Sequence, residues 1–342
     1  MALPLLKLPP EILLQILSNL SIKPLLRFAQ TSHYARILAH TNFRALSLTV
    51  CPSHRTSWHS KLFFAPHKPA HSLHAAIQIP HAWDFDYPTL LTFHNKITAS
   101  IVSRYASTLR TLELTLWTLS PTIAQALTTL PALRDLSIRL ETTHAMSRIY
   151  TSLQRRDECA AWTLLASNPS WTHVLRTLRI EGAEIGAAQL GGLIEGAMRL
   201  RDLSLSSCGM LTGSIWGCAG LRRLQQLRVT DCANVHVDAT AVGGNKQITQ
   251  TAGTSTYHSM LVRAAESDLR CSVAQRCVDC ANLGCATQAL DLHGCNGLDG
   301  EVLEQWNRDV WRVPVFVAPR PRGLMKENLL IEVDPDYMNE TV

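Results

Sequence analysis

Leu200-Arg201-Asp202-Leu203-Ser204-Leu205-Ser206-Ser207-Cys208-Gly209-Met210-Leu211 is the stretch that decides the fold. Leu203 and Leu205 alternate with single polar residues, the period of a short strand with one buried face. The same Leu-x-x-Leu-x-Leu pattern returns at Leu109-x-x-Leu112-x-Leu114, Leu133-x-x-Leu136-x-Ile138, Leu175-x-x-Leu178-x-Ile180 and Leu224-x-x-Leu227-x-Val229. A less complete copy is Thr287-x-x-Leu290-x-Leu292. The central leucines 112 and 136 stand 24 residues apart, 178 and 203 stand 25 apart, and 203 and 227 stand 24 apart. A fixed period of that size means one strand and one return per unit, with stacked units burying a continuous leucine ladder. An α/β protein with ordinary buried strands is the alternative, and the period argues against it.

Three copies keep their register further. Leu205-x-x-Cys208-x-x-Leu211, Val229-x-x-Cys232-x-x-Val235 and Leu292-x-x-Cys295-x-x-Leu298 align without gaps. A small, weakly polar thiol suits a tight turn after the strand. Residues 122–129 and 187–198 are expected as return helices. The spacing is irregular elsewhere. Leu136 to Leu178 spans 42 residues, so an insertion is expected near 141–170, carrying Arg155, Arg156, Asp157 and Glu158. Leu227 to Leu290 spans 63, which places a second insertion near 239–285, its first part rich in Gly, Ser and Thr and read as a surface loop. Residues 49–105 show no clear repeat; they are read as a connecting region with degenerate first repeats, Ile77-x-Ile79 being one candidate strand. Residues 306–342, with closely spaced prolines and then an acidic run, are read as a C-terminal cap or tail.

Strand alternation turns the residues beside the buried leucines toward the opposite face of the sheet. Its charged members are Glu113, Asp135, Arg139, Arg179, Glu181, Asp202, Arg228, Asp291 and His293. Together they form the candidate target-binding face.

The first fifty residues have a different texture. Leu8-Pro9-Pro10-Glu11 opens a helix: proline at the first turn loses no hydrogen bond, and an acid there suits the helix dipole. Ile12, Ile16, Leu17 and Leu20 give a short apolar face. A second helix is expected over about 24–30, and Thr31 or Ser32 can cap a third over 33–40. Leu13, Leu14, Leu25, Leu26, Phe28, Ile37 and Leu38 are more apolar surface than a free three-helix bundle can hide, which marks a partner site or a helical cap on the next domain.

This segment resembles an F-box along its whole length: Leu8-Pro9-x-Glu11-Ile12-x-x-x-Ile16-Leu17-x-x-Leu20, then Leu25-Leu26-x-x-Ala29-x-x-Ser32 and Arg36, trailed by Asn42-Phe43-Arg44-Ala45-Leu46-Ser47-Leu48. His33-Tyr34 departs from the basic residue and tryptophan often found before that arginine. The repeats likewise resemble the cysteine-containing class of leucine-rich repeat. The resemblance implies a short all-α F-box module at 1–48 followed by an irregular α/β leucine-rich-repeat solenoid at 106–305. It further implies a substrate-recognition subunit of an SCF (cullin-RING) ubiquitin ligase, docking a Skp-type adaptor and holding a target protein. The adaptor-binding or module-core set carried over is Leu8, Pro9, Ile12, Ile16, Leu17, Leu20, Leu25 and Leu26.

Composition is consistent with that picture. At 342 residues, with 46% hydrophobic and 17% charged, the chain can bury a core without disulfide staples. No apolar run is long enough to span a membrane, and no signal peptide of ordinary form opens the chain, so a cytoplasmic or nuclear address is expected. Residues 1–80 hold eight Lys or Arg against Glu11 alone, which suggests an acidic partner. Basic runs interleaved with aromatics are absent, which makes nucleic acid the weaker choice.

Among the ten cysteines, Cys271, Cys277, Cys280 and Cys285 are the metal-like constellation, a candidate zinc set against plain reduced thiols; no other cofactor is expected. Walker, Rossmann, nucleophile-elbow and zincin signatures are absent, so no catalysis is expected. The other reading kept open is a ligase-independent interaction scaffold in nuclear or chromatin assembly, with the cysteines as a zinc module.

Overall fold

In the computed structural model, residues 8–52, 73–79, 81–141, 152–167, 169–235, 287–295, 297–308 and 312–319 are described. Three short helices come first: α1 (Pro10–Ser18), α2 (Ile22–Ala29) and α3 (His33–Thr41). Pro10 occupies the first turn of α1, and the Ser32 hydroxyl accepts the Ala35 N–H at 3.0 Å to cap α3.

The chain then enters one parallel sheet. Its strands are β1 (Ala45–Pro52), β2 (Leu73–Ile79), β3 (Thr111–Leu116), β4 (Asp135–Leu140), β5 (Thr177–Glu181), β6 (Asp202–Ser206), β7 (Gln226–Thr230), β8 (Ala289–Asp291) and β9 (Val315–Val317). They run β2-β1-β3-β4-β5-β6-β7-β8-β9, sequential except for the exchange at the first edge. The register aligns Leu73, Leu46, Leu112, Leu136, Leu178, Leu203, Leu227, Leu290 and Phe316 in one row across all nine strands. Among the described residues, the helices pack on this side: α4 (Tyr87–Arg104), α5 (Pro121–Thr128), α6 (Ser152–Ala166), α7 (Ala187–Gly196), two 3-10 turns at Gly213–Gly217 and Ala219–Arg223, and α8 (Gly300–Trp306).

The turn after each later strand repeats one geometry. Gly182, Ser207, Asp231 and Gly294 all have positive φ, and each is followed by a small buried residue: Ala183, Cys208, Cys232 or Cys295. Backbone bonds run from Gly182 N–H to Ser206 O, from Ser207 N–H to Thr230 O and from Asp231 N–H to His293 O, so the ladder continues past the strands. Glycine is required at 182, where a Cβ would stand 2.5 Å from the Leu140 carbonyl oxygen. The three cysteines are free and buried. A thiol–thiol hydrogen bond with Cys232, then burial, pushes the Cys208 thiol up; burial pushes Cys295 up to about 11.

Several expectations need correction. Not all the N-terminal leucines form partner surface: Leu13, Leu17, Leu25 and Leu38, with Phe43, belong to the same hydrophobic core as the strand leucines, as a helical cap on the next domain would. Phe43 stacks on Tyr105 at 4.2 Å, with His40 edge-on to the same ring at 5.2 Å, joining α3 to the end of α4. The segment 49–105 holds, besides β2, an 18-residue helix that the repeat pattern did not reveal. The long step from Leu136 to Leu178 contains α6, whose Ala161, Trp162 and Leu165 are buried; β4 and β5 pair directly, so this stretch includes that unit's own return helix. Glu158, expected within a charged insertion, is fully buried, and its Oε1 accepts the Glu184 N–H (3.0 Å) and the Trp162 indole N–H (3.3 Å). Beyond α8 the chain adds β9 to the sheet, beside β8.

Candidate functional site: an exposed helix face and an open sheet face

Two surfaces remain after the core is assigned. The first lies on the N-terminal helices. Ile12 and Ile16 are one turn apart on α1 and expose 43% and 38%; Tyr34 and Ile37 are spaced alike on α3 and expose 43% and 50%. Leu26 on α2 exposes 39%. Helix α3 packs against both α1 and α2. Pro9 is exposed, whereas Leu8 and Leu20 are half-buried against the core.

Leu17 and Leu25, carried over in the same set, are fully covered and cannot meet a partner in this conformation. The reading thus divides: leucines at 13, 17, 25 and 38 face inward, and the isoleucines at 12, 16 and 37 face out. Tyr34 was noticed in the sequence only as a departure from the family pattern, yet it is among the most exposed aromatics of the described residues. Behind this face, a groove of about 370 Å³ is lined by Leu14, Leu17, Leu25, Arg44, Ala45 and Leu73, among others.

The second surface is the helix-free face of the sheet. Register places Glu113, Ser137, Arg179, Ser204, Arg228 and Asp291 side by side in one row. Thr111, Asp135, Thr177 and Asp202 share another, and Thr115, Arg139 and Glu181 a third. His293 is off the strand, exposed in the turn that follows β8, its N–H donating to Asp291 Oδ1 at 3.1 Å.

Charges on this face are cross-linked. Arg139 pairs with Glu181 at 3.4 Å and approaches Glu141 at 3.8 Å, and Asp135 Oδ2 accepts the Thr111 hydroxyl at 3.0 Å. Burial raises the Asp202 carboxyl, with the Arg179 guanidinium opposing it. Burial likewise raises Glu141, opposed by Arg139.

Cys271, Cys277, Cys280 and Cys285 lie outside the described residues. Among the described residues no group of three or more His, Cys, Asp or Glu side chains could hold a metal, and no helix is long and apolar enough to cross a membrane.

The N-terminal part is thus a three-helix module with an exposed apolar face, fused to the first strands of a parallel sheet. Residues 5–48 match the family model described as F-box-like, so the chain carries an F-box-like domain over α1–α3 and the start of β1. Such domains generally bind the Skp-type adaptor of SCF ubiquitin ligases and are typically non-catalytic. The rest of the chain lies outside that match. No curated protein matches the chain.

Proposed function

We propose that this chain is a substrate-recognition subunit of an SCF-type (cullin-RING) ubiquitin ligase, working in the cytoplasm or nucleus. The apolar face of α1 and α3 docks the Skp-type adaptor, and the sheet holds a target protein. The observation that carries this is the coincidence of the F-box-like match with a face where Ile12, Ile16, Tyr34 and Ile37 stay exposed although the same helices bury their leucines. Exposed apolar groups at helical spacing on a module already anchored to a core are what a helical partner would cover.

The aligned leucine row and the recurring positive-φ turn before a small buried residue support reading the sheet as cysteine-containing leucine-rich repeats. In that reading the chain performs no chemistry; it raises the effective concentration of a target lysine beside a charged conjugating enzyme. No cofactor is part of this reading; a zinc site at Cys271, Cys277, Cys280 and Cys285 belongs to the alternative of a ligase-independent scaffold.

Co-purification tests the docking half. The intact chain retains the Skp-type adaptor, and Ile12→Asp combined with Ile37→Asp loses it while lowering the melting temperature by only a few degrees, because both positions are about half exposed. A wild-type chain that never holds adaptor under gentle conditions ends the ligase reading.

A further inference from the structure

Five arginines form an unbroken row along the rim of the sheet where the strands begin. Arg44, Arg110, Arg134, Arg176 and Arg201 each stand one residue before the first residue of β1, β3, β4, β5 and β6. Backbone hydrogen bonds join each to the next: Arg110 N–H to Arg44 O (2.7 Å), Arg134 to Arg110 (2.6 Å), Arg176 to Arg134 (2.6 Å) and Arg201 to Arg176 (2.8 Å). The row ends at β7, where Gln225 takes the next place and its N–H bonds to Arg201 O. All five side chains are exposed, and among the described residues none makes an ion pair with a carboxylate. Adjacent strands lie ~4.8 Å apart, so five like charges repeat at that interval over roughly 19 Å.

Like charges on neighbouring strands repel one another. The nearest acids on the adjoining row, Asp135 and Asp202, sit under only two of the five positions. A row of like charges with acids beneath only two of its five positions, and with no side-chain ion pair among the described residues, is suited to receiving counter-charge from outside.

We propose that this rim binds an extended, carboxylate-rich segment of a partner protein, lying across the strand starts. An extended chain advances ~3.3 Å per residue, so about six residues cover the row. Guanidinium forks donate paired, parallel hydrogen bonds to carboxylates. A nucleic acid fits less well, because the row itself carries no aromatic ring on which bases could stack. The inference extends the target-binding half of the proposed function and is independent of adaptor docking.

The experiment is fluorescence anisotropy of a fluorescein-labelled octaglutamate peptide with the purified full chain. Binding is expected at low ionic strength and weakens as salt is added. Arg134→Ala with Arg176→Ala weakens it at least tenfold. Arg155→Ala with Arg156→Ala, which removes the same charge from exposed positions on α6, changes it less than twofold. Equal loss in both double variants would reduce the effect to net charge and overturn the proposal. Tighter binding of a single-stranded oligonucleotide of equal charge, lost in the rim variant, would overturn it in favour of nucleic acid. Adaptor retention, read on the same samples, reports on the α1–α3 face alone, so failure of one reading leaves the other measurable.

Discussion

Ile16 and Leu17 are neighbours on one helix, and the structure assigns them opposite jobs, which allows a sharp comparison. Leu17 is 1% exposed within the core, so Leu17→Ala loses the full transfer energy of the side chain and leaves a cavity, about 2–5 kcal/mol. At about 2–4 °C per kcal/mol for domains of 150–250 residues, a 3 kcal/mol loss lowers the melting temperature by roughly 6 °C if this larger chain sits at the low end. Ile16 already exposes 38%, and full burial of such a side chain is worth about 1.5–3 kcal/mol. Ile16→Ala therefore gives up about 1–2 kcal/mol of burial, and the better helix propensity of alanine returns about 0.4 kcal/mol. The expected shift is roughly 1 kcal/mol, near 2 °C.

Affinity for the Skp-type adaptor reverses the order. Truncating an exposed anchor costs about 1 kcal/mol or more, fivefold or greater, whereas Leu17→Ala measured well below its melting temperature binds nearly as wild type. Thermal unfolding and calorimetric titration of the two variants supply both numbers. If Ile16→Ala melts as low as Leu17→Ala, or if Leu17→Ala binds the more weakly of the two, the division into inward leucines and outward isoleucines is wrong.

Three further outcomes follow from particular groups. His94 is fully covered, stacks on Trp117 at 4.9 Å, and has its pKa lowered to about 4, chiefly by burial. A lowered folded pKa means the neutral ring's contribution is complete above pH 6.5 and is lost as pH falls from 6.5 through 4, about 3 kcal/mol in full; urea midpoints of wild type and His94→Gln should converge over that window, and a constant gap would refute the assignment. Gly182→Ala, at φ +70 and against the Leu140 carbonyl, should cost about 1–3 kcal/mol in the urea midpoint, and an unchanged midpoint would show that the turn relaxes freely. Metal analysis of the purified chain should find zinc far below one equivalent; near one equivalent, removed by Cys277→Ser with Cys280→Ser, would instead make the cysteine cluster a metal site.

The strands were legible because their signal is local. Leu112, Leu136, Leu178, Leu203, Leu227 and Leu290 each sit in an alternating run, and alternation within a run is enough to say which side chains share a face. The return helices α5 and α7 and the three N-terminal helices were legible for the same reason. Helix α4 was not: its covered positions include His94, Thr98 and Ala99, so its inward face does not read as an apolar stripe. Helix α6 begins in a charged run, and the buried Glu158 is tolerated because the Glu184 N–H, 26 residues on, and the Trp162 indole one turn along the same helix both donate to it.

By itself, then, the sequence determined the periodic elements and the identity of the residues on each face, since both depend on repeats of two and 3.6 residues along one chain. Tertiary structure decided which faces found partners. It turned Leu13, Leu17, Leu25 and Leu38 into the core and left Ile12, Ile16 and Ile37 exposed, because only the strands and α4 behind the module settle which side of it is covered. It also made the arginine row. Arg44 and Arg110 lie 66 residues apart, and Arg134 and Arg176 lie 42 apart. An arginine follows the first leucine of four successive copies, a signal present in the sequence all along, but only hydrogen-bonded register turns those separations into neighbouring charges.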